Sequence, residues 1–73
     1  MPFDFSKLRG RIIEKFGTCE RFAEAAGRSK NWVSVRLNNV VAWSGDEIHA
    51  VCQPELLDIP AEEIPLYFFS PGF

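Results

Sequence analysis

Gly27 separates two helix-forming runs in CERFAEAAGRSKNWVSVRLNN, residues 19–39, and no other feature restricts the fold of this chain so tightly. Two short helices meeting at a steep angle need a tight turn. Glycine enters the left-handed region there without the steric cost that other residues carry. Ala23, four residues earlier, is small, which lets the following helix pass close by. Phe22, Ala26 and Val33 then close a miniature core. This is the layout of a helix-turn-helix, whose second helix enters the DNA major groove in proteins that bind operators.

The rest of the chain reads as further short helices. Ser6 is placed to cap a helix with Leu8, Ile12, Ile13 and Phe16 at helical spacing, and Gly17 ends it. Thr18 caps CERFAEAA, with Arg21 where a full capping box has Glu. Ser29 caps KNWVSVRLN, with Val33 and Leu37 facing inward, and Asn38 and Asn39 mark its end. Trp43 stands as a staple ahead of a Ser44 cap, and Asp46 and Glu47 occupy the first turn, where the helix dipole favours acids. Pro54 stops that helix. Pro60 suits the start of a last one, AEEIPLYF, which Pro65 shortens. No run alternates with period two. The expected class is all-α, a compact bundle of four to five short helices. One domain spans 1–73, with the helix-turn-helix core at 19–38 and an aromatic tail at 66–73.

At 73 residues the core is small, since a chain of this size buries only about 60% of its unfolded surface. Phe3 and Phe5 at one end, and Tyr67, Phe68, Phe69 and Phe73 at the other, are too many aromatics to leave in water. Closure of Phe3 or Phe5 on Phe68 is the expectation, with a partner chain on the tail as the alternative. No apolar run reaches the ~20 residues of a membrane span, and MPFDFSKLRG lacks a secretory layout, so a cytoplasmic location is expected. Cys19 and Cys52 are expected to be free thiols. Together with His49 they lack the paired spacing of a zinc site, and Glu62 and Glu63 suit a helix first turn better than acid–base work. No phosphate loop or nucleophile–base pattern occurs, so neither catalysis nor a cofactor is expected.

Charge divides the chain. Residues 1–36 hold all eight basic residues and four acids, net +4; residues 37–73 hold no Lys or Arg and six acids, net −6. The first half is suited to an anionic partner.

The pattern Gly17-Thr18-x-x-x-Phe22-Ala23-x-x-x-Gly27-x-Ser29, with one helix before and two after, resembles the Cro and repressor (XRE-type) helix-turn-helix domains of temperate phages. The runs FDFSKLRGRI, RLNN, WSGDEI, IPAEEIP and YFF are similar to a subgroup of small Cro-like proteins that includes modulators of repression. The chain departs from the broad family at Cys19, where Gln is usual, and at Arg28 and Arg36, where apolar residues are common. Gln53-Pro54 reads as an insertion.

With Val33 and Leu37 inward, helical geometry turns Asn31, Ser34, Val35 and Asn38 outward. Asn31 can pair with adenine and Val35 can meet a thymine methyl, while Ser34 is less selective. Ser29 and Lys30 stand at the helix N-terminus, suited to a phosphate or a guanine edge, with Arg28 and Arg36 as flanking phosphate contacts. Ser29 and Asn38 also have purely local roles open to them, as cap and helix end. The main reading is a Cro-like regulator that binds operator DNA through its third helix, as a homodimer on a near-palindromic site. The alternative is a modulator that binds a phage repressor. A pI near 5.2 is low for a DNA binder, and the −6 half can mimic phosphate toward a basic partner.

Overall fold

Among the described residues five short helices form, bounded by caps, glycines and prolines. The structure, a computed structural model, describes residues 3–71, so Phe73 lies outside the described residues. Helix α1 runs Ser6–Phe16, α2 Cys19–Ala25, α3 Lys30–Leu37, α4 Gly45–Val51 and α5 Ile64–Phe68, with a 3₁₀ turn at Ala61–Glu63 before α5. The Thr18 hydroxyl accepts from the Arg21 N–H at 3.1 Å and the Ser29 hydroxyl from the Trp32 N–H at 3.1 Å. Ser44 and Glu47 complete a reciprocal capping box on α4, each side chain accepting from the other's backbone N–H.

Ser6 does not cap α1. It is the first helical residue, and Asp4 supplies the carboxylate, accepting from the Ser6 N–H at 2.9 Å and its hydroxyl at 2.6 Å. These bonds favour the ionised form and hold the Asp4 carboxyl below its usual range. The single helix expected after Pro60 is divided instead. Pro65 lies in the first turn of α5, where its missing N–H leaves no helical bond unmade.

The core takes one or two residues from every helix: Leu8 and Ile12 from α1, Phe22 and Ala23 from α2, Val33 and Leu37 from α3, Ile48 and Val51 from α4, Phe68 from α5. Leu57 and Ile59, in the segment after α4, are equally buried. Arg11 fastens that segment, donating from Nε to the Leu57 carbonyl and from a terminal nitrogen to the Asp58 carbonyl, each at 2.9 Å. Cys52 packs in the same core. Burial pushes its thiol up to about 11, and both cysteines are free.

The chain ends close on each other. Phe3 forms an antiparallel bridge with Pro71, and the Asp4 N–H donates to the Ser70 carbonyl at 2.8 Å. The Phe3 ring meets Phe69 edge-to-face at 5.5 Å and Phe5 in a tilted pair at 6.4 Å, while Phe5 and Phe68 are both buried in the core. Phe69 lies next along the chain and stays half outside, within reach of a ring at the surface. No helix among the described residues is long and apolar enough to cross a membrane.

Candidate interface on the third helix

Helix α3 is held at both ends by the same backbone device. At its start, Gly27 has φ +73°; its N–H donates to the Glu24 carbonyl at 3.1 Å and the Arg28 N–H to the Ala23 carbonyl at 2.8 Å. This paired closure of α2, with a left-handed residue just past the helix, is a Schellman motif. Asn39 repeats it at the end of α3 with φ +62°, its N–H reaching the Arg36 carbonyl and the Val40 N–H the Val35 carbonyl. The Val41 N–H donates to that same carbonyl at 3.1 Å. The two ends of the helix are therefore fixed by local bonding.

Its surfaces follow from the two buried positions. Lys30, Asn31, Ser34 and Asn38 are exposed, as are Arg28 and Ser29 ahead of the helix. The Asn38 amide donates to the Ser34 hydroxyl at 3.3 Å, so these two polar groups form one continuous strip. Val35 is half-buried rather than fully outward, because the 40–41 segment folds back to its carbonyl.

Arg36 departs most from expectation. It is not an open flanking cation: its Nε and a terminal nitrogen donate to the two carboxylate oxygens of Glu47 at 3.1 and 2.9 Å. Its other terminal nitrogen donates to the Trp32 carbonyl at 3.1 Å, and its guanidinium lies 4.1 Å from the centre of the Trp32 ring. The Arg36 bond, reinforced by the Ser44 N–H, holds the Glu47 carboxyl below its ordinary range. Arg28 also approaches the Trp32 ring, at 4.8 Å, while keeping its exposure. Arg11 too is engaged internally, so the basic half offers fewer open cations than its composition suggests.

Sequence reasoning missed the Arg36–Glu47 pair. Its only local trace is the Ser-x-x-Glu spacing at 44–47, which fixes Glu47 to the start of α4. It also missed an apolar groove of about 510 Å³ beside α3, lined by Phe3, Val40, Val41, Trp43 and Phe69 among others. Trp43 makes edge-to-face contacts with Trp32 and Phe68 at 5.5 and 5.1 Å, and its buried indole N–H has no protein acceptor. Among the described residues no cluster of His, Cys, Asp and Glu is arranged to hold a metal ion.

Among the described residues the chain is all-helical, with α3 closed by left-handed residues at both ends, and after Arg36 its Asp and Glu residues have no Lys or Arg beside them in the sequence. The chain is similar to the modulator of repression (MOR) of the temperate bacteriophage TP901-1 from Lactococcus lactis, known from a solution structure. The two are 43% identical, with a TM-score of 0.81 over 94% of this chain and 90% of that one. The chain belongs to the family described as Protein of unknown function (DUF739), whose model matches residues 1–71. Among curated proteins none matches it. The solved relative is a modulator of repression, which marks this chain as a phage regulatory protein and fits the modulator alternative better than direct operator reading.

Proposed function

We propose that this chain is a single-domain modulator that binds a phage repressor protein and alters its hold on operator DNA. The observation that carries the reading is the 43% identity to a modulator of repression across nearly the whole of both chains. The charge distribution is consistent with it. Of the six acids after Arg36, only Glu47 is half-buried; Asp46, Glu55, Asp58, Glu62 and Glu63 are exposed. A face of that sign complements the basic surface with which a repressor meets phosphate.

The test is a titration of the cognate repressor with this chain, with and without operator DNA from the lysis–lysogeny control region, at two salt concentrations. Reversal of Glu62 and Glu63 to Lys is expected to slow association with the repressor, more so at low salt. An unchanged repressor affinity combined with tighter binding to DNA would remove the acidic face from the modulator reading.

The exposed strip of Lys30, Asn31, Ser34 and Asn38 favours one second reading, direct operator binding by α3, with a homodimer spacing two such helices about 34 Å apart. On that reading Asn31→Ala costs about 1–3 kcal/mol on the best site and spares non-specific binding. Equal losses on specific and random duplexes would take Asn31 out of base recognition.

A further inference from the structure

We propose that Glu47 sets the partner class of α3: it fills the guanidinium fork of Arg36 and so withholds from DNA a cation on the flank of that helix. The inference rests on the modulator reading for its biological sense, but its physical content is separate from that reading. Flanking cations beside a reading helix are the groups that neutralise phosphates and fix a protein's register on the duplex. Arg36 stands on such a flank, on the side of α3 that carries Trp32, between the buried stripe of Val33 and Leu37 and the exposed strip.

Three observations make the pair a mask and not an ordinary surface contact. The geometry is two-pronged, 3.1 and 2.9 Å to separate carboxylate oxygens, which uses the same parallel donors that would take a phosphate. Both side chains are largely covered, 12% exposed for Arg36 and 19% for Glu47. The acceptor is also tied down from behind, since the Glu47 oxygen at 3.1 Å from Arg36 Nε takes the Ser44 N–H at 3.0 Å. Glu47 thus cannot leave Arg36 without loosening the start of α4. On the other side, the Trp32 carbonyl and ring hold the guanidinium in place. The carboxylate occupies the position of a phosphate that has been built into the chain.

Glu47→Gln separates masking from folding, because Gln also completes a capping box while lacking the charge. Asp46→Asn is the control: it removes the same charge one residue away, from an exposed side chain with no Arg partner among the described residues. Binding to a random-sequence DNA duplex is measured against salt concentration. The expected result is that E47Q steepens the log–log salt slope by about 0.9 relative to D46N, the value for one more neutralised phosphate, and that R36Q in the E47Q background abolishes this increase. Equal slopes for E47Q and D46N, or no duplex binding by either, would overturn the proposal. If E47Q does not fold, the Arg36 Nε–H resonance of the wild-type chain is followed during duplex addition at low salt. An Arg36 resonance that stays unmoved while backbone resonances of α3 shift supports the mask; a shifted Arg36 resonance, or no shift anywhere in the chain, overturns it. Repressor affinity of the wild-type chain, measured separately, decides the modulator reading without touching this one.

Discussion

The side chain of Asn39 pairs with the backbone of Phe3 as a neighbouring strand would: its amide donates to the Phe3 carbonyl at 2.9 Å and its carbonyl accepts from the Phe3 N–H at 3.2 Å. Asn39 also holds the left-handed conformation that closes α3. One residue therefore joins the end of the third helix to the start of the chain. Few residues could do both, since Asn tolerates positive φ and carries a donor and an acceptor together.

These two roles come apart by substitution. Asn39→Gly keeps the backbone conformation and loses the amide; Asn39→Ala loses both. Hydrogen exchange at Phe3 is expected to speed up in each variant. Only Asn39→Ala should add a backbone penalty of about 1 kcal/mol or more in chemical denaturation. Equal stability of the two variants would show that the conformation at Asn39 carries no strain.

Gly27 has φ +73° and open space where a Cβ would be placed, so the cost of a side chain there is conformational alone. Gly27→Val is expected to destabilise by about 1–3 kcal/mol, seen as a fall of several degrees in Tm. A melt within a degree or two of wild type would contradict the turn.

Glu47 makes stability depend on acid pH. Arg36 and the Ser44 N–H lower its carboxyl pKa in the folded chain, so the unfolded chain binds the proton more tightly. The contribution is complete above the ordinary Glu range, near about 4.3, and fades as pH falls from there through the lower folded value. Denaturation series between pH 7 and 3 should show E47Q with a shallower loss on the acid side than wild type. Parallel curves would mean that the pair adds nothing to folding.

Cys52 should be chemically silent. With its thiol pushed up to about 11, only about one in a thousand is ionised at pH 8, and the sulfur is buried as well. A thiol reagent at pH 8 is expected to modify the half-buried Cys19 first and Cys52 only on unfolding. Two thiols reacting at one rate would place Cys52 nearer the surface.

The parts of the fold legible in the sequence are those decided within three or four residues. Thr18, Ser29 and Ser44 each cap the helix they precede, and Gly17, Gly27 and Asn39 take positive φ at helix ends. Val33 and Leu37 are buried because their spacing matches the helix period. Ser6 misled because Asp4, two residues earlier, accepts from both its N–H and its hydroxyl, so Ser6 enters the helix as its first residue instead of capping it. Arg36 and Arg11 were illegible as structural residues for a different reason. Their acceptors lie 11 and 46 residues further along the chain, and nothing in a basic side chain tells whether it will meet a phosphate or a carbonyl. The outward set Asn31, Ser34 and Asn38 follows from periodicity, whereas the engagement of Arg36 and Arg11 follows from tertiary bonding.

Arg11 reaches carbonyls at positions 57 and 58, and the fully buried Leu57 sits among them in the core. Helices of seven, eight and eleven residues are shorter than the ~12–15 that persist alone in water. During synthesis, α2 and α3 therefore emerge before the surface they must fold onto. A chain interrupted ahead of Leu57 contains α3 in full and lacks Leu57, Ile59 and Phe68, the buried residues that complete its core. The segment from Leu57 onward, which contributes nothing to α3 itself, thus decides whether that helix has a core to stand on.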